Sequence, residues 1–459
     1  MIPLTLAELQ APLNAQLHGE DLTIEQVSTD TRQAMPKGLF IALVGERFDA
    51  HEFADKALEQ GAIALIVERK LALNVPQLVV ADCRIALGQV GSYLREKLGL
   101  ACCAITGSNG KTTVKEMCSA ILTQSKQVLA TQGNFNNDIG VPLSLLRAEP
   151  QHQVGVLELG ANHIGEIAYT VNLVKPQAAL INNVSDAHIE GFGDQHGVLK
   201  AKSELFLDLT AEQIAICELG SEYQAYLDKA ASPAAVQHFA LDNKQADFFA
   251  SNINSIGLTG SRFSLHTPLG QVDVQINLAG EHNVKNAVAA AALAMAMGAN
   301  LQHVQQGLAS LEKVPGRVNL QSLSASINLI DDSYNANPAS FNAAVDILAS
   351  FEGKRFLIAG AMGEMGQQTK QVHKDLVSRA LDSNISLYSY GASFDEVLAE
   401  IGQSSLGFDS HDTLVKQLIK SLEEQAGKAS LVLVKGSRST HMENVVKQLQ
   451  QYYKKGLEC

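Results

Sequence analysis

Residues Thr106 to Thr113 read TGSNGKTT and follow the apolar run Leu98 to Ile105. A strand that ends in a loop carrying two glycines, one lysine and paired threonines has the parts of a phosphate site. Gly107 and Gly110 allow a tight turn that aims backbone N–H groups at anionic oxygens, Lys111 adds a point charge, and Thr112 offers a hydroxyl to magnesium. Ser108, Asn109 and Thr113 complete the cradle. Downstream, Val114, Met117, Cys118, Ile121 and Leu122 recur at helical spacing, which sets the positive end of a helix dipole behind the same phosphates. The loop is a variant of GxxxxGK[ST], since that spacing would need glycine at Ile105. A plain turn between strand and helix would need neither Lys111 nor the threonines.

Glu158 closes the run VGVLE, where a strand would deliver its carboxylate toward the loop. With Thr112 it gives Mg²⁺ the few protein oxygens that ion takes beside water and phosphate; a surface glutamate at a strand end is the plainer alternative. His188, in NNVSDAHIEGFG, brings an imidazole to the same rim, either as a metal ligand or as a polar contact, with Asp186 as a competing ligand.

These residues need a scaffold that gathers strand ends. Strands are expected at Gly38 to Val44, Ala62 to Val67 and Gln77 to Ala81 with a helix at Phe53 to Gln60, then at Val154 to Leu159 and Ala178 to Ile181. After Arg317 the alternation restarts with Ile327 to Ile330, Arg355 to Ala359, Ile385 to Tyr388 and Leu431 to Val434. This predicts an α/β protein of three domains: a small α/β domain over 1–84, a central parallel-sheet ATPase domain over 85–312, and a Rossmann-like domain over 313–459. Gly360, Gly363 and Gly366 lack GxGxxG spacing and read as packing turns.

With 459 residues the chain is long enough for three cores. Its net charge of -13 argues against a nucleic-acid partner, because no basic tract is present to neutralise phosphates. The start MIPLTLAELQ carries no export leader, and Ala287 to Ala299 is too short to cross a bilayer, so a cytoplasmic protein without a membrane partner is expected. Six cysteines without a CxxC pair favour reduced thiols.

Several further motifs occur in a telling order: STDTR at Ser28 to Arg32, GERFDAHEF at Gly45 to Phe53, NFNNDIGVP at Asn134 to Pro142, ELGANHIGEI at Glu158 to Ile167, HNVKNAVAAAA at His282 to Ala292, DDSYNANP at Asp331 to Pro338 and VKGSRS at Val434 to Ser439. Together with TGSNGKTT and PGR they make the chain resemble the Mur ligases over nearly its whole length.

The resemblance implies an ATP-driven amide ligase of peptidoglycan precursor synthesis, most similar to the members that add D-alanyl-D-alanine to UDP-N-acetylmuramoyl-tripeptide through an acyl phosphate, and a monomer. It implies phosphate binding by Lys111 and the loop amides, a first Mg²⁺ on Thr112 and Glu158, a second on His188, and a carbamylated lysine at Lys202, with Lys200 as the competing position. It also implies an adenine contact at Asn286, phosphate and ribose contacts at Arg317 and Asp332, UDP-end contacts at Ser28, Thr31, Arg32, Asp49 and His51, and dipeptide contacts near Asn335, Asn337 and Lys435 to Ser439. The residues alone permit plainer roles: a solvated helical lysine at Lys202, a helix start at Asn286, an interdomain ion pair at Arg317 and a turn cap at Asp332. Competing readings are a third-residue-adding Mur ligase, a folylpolyglutamate synthase-like ligase, and an ATP-dependent binding module or switch; NANP at Asn335 to Pro338, where a diaminopimelate-selecting enzyme would usually carry DNPR, favours the dipeptide.

Overall fold

The computed structural model describes residues 1–185, 189–311 and 316–457. Three sheets organise it. The first has five strands in the order Gln16–His18, Gln77–Val79, Ala62–Val67, Gly38–Ile41 and Gln26–Ser28. The second has nine, with Ala101–Thr106 lying parallel between Val154–Glu158 and Ala178–Ile181. The third has six, in which Ile327–Asp332, Ser430–Lys435, Lys354–Gly360 and Ser386–Tyr390 run parallel.

Register explains how the nine-stranded sheet builds a rim. Ile105 pairs with Glu158 and Thr106 with Ile181, so three strands end side by side and their following loops meet at one edge. A ligand belongs at that carboxyl end. The far side of this sheet departs from the parallel expectation: Phe248–Ser255, Ser261–Thr267 and Gly270–Ile276 form an antiparallel meander. The two-residue turn Pro268–Leu269 can join Ser261–Thr267 to Gly270–Ile276 because antiparallel neighbours need no crossover helix.

The apolar run at Leu98 to Ile105 is not one strand. Leu98 closes the helix Cys83–Lys97, Gly99 turns at a φ of 60°, and the strand begins at Ala101. That helix runs across the expected boundary between 84 and 85. Its Leu87, Val90 and Leu94 share one core with Leu6 and Leu9 of the helix Leu6–Leu13 and with Val141 and Leu145, so the first unit packs on the second without an exposed hinge there. The expected boundary at 312 and 313 lies outside the described residues.

The helix Lys111–Thr123 buries Val114, Met117, Cys118, Ile121 and Leu122 completely against the sheet. At about 2 kcal/mol per buried aliphatic side chain, this anchoring outweighs the roughly 1 kcal/mol lost for want of a side-chain cap at its start. The alanine-rich helix Glu281–Ala296 is buried over the same face, with Ala287 to Ala294 almost wholly enclosed. No helix among the described residues is long and apolar enough to cross a membrane.

Candidate active site

The phosphate loop opens into a cleft of about 930 Å³ lined from both the nine-stranded and six-stranded sheets. Gly110 takes a φ of 77° and begins the helix Lys111–Thr123 with no side-chain cap, which leaves the helix end to an anion. A side chain would be tight at Gly107 and would clash at Gly110. A Cβ on Gly110 would stand 2.5 Å from Asn286 Oδ1 and 2.6 Å from Asn182 Nδ2. Gly110→Ala is therefore expected to cost about 1–2 kcal/mol in strain, a loss of roughly tenfold if it falls on the binding-competent loop. Calorimetric titration with a non-hydrolysable ATP analogue checks this.

The loop is stitched to the strand end that follows Ile181. Ser108 N–H donates to Asn183 O at 3.0 Å, Asn109 N–H to Asn183 Oδ1 at 2.8 Å, and Ser108 Oγ to Ser185 O at 2.8 Å. Asn182 Nδ2 donates to Asn286 Oδ1 and Asn109 O, both at 2.9 Å. A loop tied at so many points is pre-organised for its ligand.

Thr112 Oγ1 donates to Glu158 Oε2 at 2.9 Å, and Asn136 Nδ2 holds the other carboxylate oxygen at 2.8 Å. Glu158 is 2% exposed, and its own N–H is held by Thr131 Oγ1 at 3.0 Å. A buried carboxylate beside a hydroxyl is a hard-oxygen pair suited to Mg²⁺.

Lys111 Nζ donates to Gly107 O at 2.7 Å. Burial pushes its pKa below the usual lysine range; Glu158 opposes this and Arg317 adds to it. Lys202 lies in the last turn of the helix Gln195–Ser203 and is 2% exposed. Burial drives its pKa well below the usual range, and the nearby Lys111 charge pushes the same way. Lys200 on the same helix is exposed to solvent.

The six-stranded unit closes on the loop. Arg317 stacks its guanidinium 4.1 Å from the Tyr334 ring centre and donates to Thr112 Oγ1 at 3.2 Å. Asn337 caps the helix Pro338–Ala349 through Oδ1 while its Nδ2 donates to Asn109 Oδ1 at 2.7 Å. Asp332 is no turn cap: one oxygen is paired with Lys435 Nζ at 2.7 Å, and the other accepts from Val318 N–H. Lys435 also donates to Asn335 O at 2.9 Å.

Not every expected residue reaches the cleft. Ser28, Thr31, Arg32, Asp49 and His51 all lie off its lining. Arg32 is 83% exposed and forked onto Asp30. His51 is buried, its Nδ1 donating to Asp49 and its Nε2 accepting Glu68 N–H at 2.9 Å, while Asp49 also takes Arg69. Both ring nitrogens are thus occupied internally. His188 and Asp186 lie outside the described residues.

Sequence reasoning gave no role to Asn136, Asn182 or His282, which complete the site. The clustered asparagines of NFNNDIGVP were the available signal for Asn136; single residues such as Asn182 offer none before the strand ends are brought together. His282 lines the cleft, and burial chiefly pushes its pKa below the usual histidine range.

Residues 105–294 match the Mur ligase middle domain, and residues 316–438 match the Mur ligase glutamate ligase domain. Over 452 residues the chain is 44% identical to UDP-N-acetylmuramoyl-tripeptide--D-alanyl-D-alanine ligase of Escherichia coli (strain K12), covering 98% of this chain and 99% of that relative. The chain belongs to the Mur ligase family. Among solved structures, this Mur ligase is similar to MurF from Acinetobacter baumannii, with 37% identity, a TM-score of 0.92, and coverage of 98% and 99% of the two chains. It is also similar to the MurF ligase from Thermotoga maritima in complex with ADP, with 26% identity, a TM-score of 0.82, and coverage of 94% and 98%. Membership of the Mur ligases and the three-sheet α/β architecture agree with the expectations drawn from the sequence.

Proposed function

We propose that this Mur ligase uses ATP to join D-alanyl-D-alanine, through its amine, to the terminal carboxylate of a UDP-N-acetylmuramoyl-tripeptide during cytoplasmic peptidoglycan precursor synthesis. The observation that carries the reading is the meeting of Lys111, the Thr112–Glu158 pair and Arg317 at the start of one uncapped helix, where a triphosphate fits. The full-length relatedness to ligases of that name supports the choice of substrates.

The N–H groups at the start of the helix Lys111–Thr123, with Ser108 and Asn109 N–H already given to Asn183, and Lys111 hold the β- and γ-phosphates, and Arg317 adds charge from the opposite wall. The tripeptide carboxylate attacks the γ-phosphorus and displaces ADP, giving an acyl phosphate. The dipeptide amine then adds to the acyl carbon, and phosphate leaves with one of the original carboxylate oxygens. Holding two anions in contact is the physical difficulty, and the cationic rim with fixed N–H donors offsets their repulsion.

Thr112 Oγ1 and Glu158 would hold one Mg²⁺, with His188 and a carbamylated Lys202 around a second. Magnesium bound there supplies neutralisation of the transferring phosphoryl charge. A neutral amine at Lys202 adds CO₂ and releases a proton, turning an uncharged group beside Lys111 into an anion; its enclosed position supports this over exposed Lys200. Asn286 would receive adenine, and Asp332 ribose on the side not taken by Lys435.

The first unit, residues 1–84, would hold the UDP end through Ser28, Thr31 and Arg32, whose side chains face solvent more than His51 does. Asp49 and His51 would shape that surface from within. Dipeptide contacts would come from Asn335 and the Lys435 to Ser439 turn, with Asn337 fixing the wall. We take the working unit to be the monomer, since both walls of the cleft come from one chain.

Phosphate release from ATP tests the reading: it is expected to require UDP-tripeptide and D-alanyl-D-alanine together. Release indifferent to both would mark a nucleotide switch, and turnover with a single amino acid would mark a different Mur ligase.

A further inference from the structure

We propose that Cys217, Asp228 and His238 form a binding site for a borderline-soft divalent cation of the Zn²⁺ class, separate from the ligase cleft. Cys217, near the carboxyl end of Ile214–Glu218, and His238, in the middle of Ala235–Leu241, are cross-strand partners, and Asp228 reaches them from the helix Gln224–Ala231. Their ligand atoms all lie within 4.8 Å of one another. Cys217 Sγ is 3.6 Å and His238 Nε2 2.9 Å from the same oxygen, Asp228 Oδ1. Bonds of about 2.0–2.3 Å to a tetrahedral zinc put ligand atoms roughly 3.3–3.7 Å apart, so small side-chain shifts suffice.

The donor set decides the metal class. A thiolate and an imidazole select zinc-like ions over magnesium, which prefers oxygen alone. On binding, the Cys217 thiol gives its proton to solvent, His238 coordinates through Nε2 with its proton on Nδ1, and water fills the fourth position. Asp228 is partly exposed, which gives an ion a way in, while the thiol is buried.

Cys217 faces away from the helix Glu281–Ala296, beside the ligase cleft but outside its lining, which takes in the neighbouring Glu218. Neighbouring Ile216 packs in the core beneath the helix Glu281–Ala296, and Glu218 pairs with Lys285 of that helix at 2.8 Å. Cys217 belongs to the core on the other face, and neither it, Asp228 nor His238 lines the cleft.

The test is titration of the metal-free full chain with Co²⁺ in saturating Mg²⁺, which fills oxygen-only sites. Expected are a sulfur-to-cobalt charge-transfer band saturating at one equivalent, its displacement by Zn²⁺, and a rise in Tm with Zn²⁺. Cys217→Ser should abolish the band, and His238→Gln should weaken Zn²⁺ binding by roughly a hundredfold, the share of one ligand in a zinc site. No charge-transfer band, or a band that persists in Cys217→Ser, would overturn the proposal and leave a hydrogen-bonded triad. Either variant that loses the fold is replaced by Asp228→Asn, read by the same Zn²⁺ affinity.

Discussion

Lys111→Ala is expected to lower kcat by a factor of roughly a hundred or more at saturating ATP, UDP-tripeptide and dipeptide. The expectation rests on placement. The ammonium lies one residue beyond Gly110 at the head of an uncapped helix, held toward the loop by Gly107 O at 2.7 Å. Its burial lowers its affinity for a proton, so the folded chain gains little from the charge without phosphate nearby. Removing a lysine with a depressed pKa takes away a destabilising term, so Tm should not fall on electrostatic grounds. A loss confined to kcat, with unchanged Tm, marks stabilisation of transferring phosphate; a near-normal kcat removes Lys111 from the mechanism.

Lys202→Ala is expected to be nearly inactive and partly restored by a short carboxylate such as acetate. The side chain is enclosed, and its pKa is driven down by burial and then by Lys111. A lysine with a depressed pKa is neutral at lower pH than a free one, and only the neutral amine takes up CO₂. Carbamate occupancy should therefore rise with pH and with bicarbonate, and wild-type activity should fall when CO₂ is removed and return when it is restored. Wild-type-like turnover of Lys202→Ala would show that the anion is not needed there.

The central loop was legible in the sequence because its chemistry is local. Gly107, Gly110, Lys111 and Thr112 sit within six residues, and the 3.6-residue spacing from Val114 to Leu122 announced the helix that carries them. Strands such as Ala62–Val67 and Ala178–Ile181 were equally plain, being short apolar runs with clear ends. What the chain order hid is long-range. The antiparallel meander after Phe248 did carry a local signal, since Val272, Val274 and Ile276 alternate with Gln271, Asp273 and Gln275, but its place at the edge of a parallel sheet is not local; Leu98 likewise joined an apolar run although Gly99 ends a helix there.

The burial of Lys202 shows the same limit. On its own helix it looks like any solvated lysine, and only packing against neighbouring elements distinguishes it from exposed Lys200. The Asp332–Lys435 pair spans two strands that are neighbours only because Ser430–Lys435 inserts between Ile327–Asp332 and Lys354–Gly360. His51 illustrates the converse: a polar motif residue whose contacts turn inward once folded.

The claim that ATP activates the peptide acid by phosphoryl transfer is tested most directly by isotope. UDP-tripeptide labelled with ¹⁸O in its terminal carboxylate is turned over with unlabelled ATP, and the released phosphate is analysed by mass spectrometry. Attack of the carboxylate on the γ-phosphate predicts one carboxylate-derived ¹⁸O in each phosphate formed from fully labelled acid. Phosphate that leaves without label, while the amide product forms at its usual rate, would contradict the account.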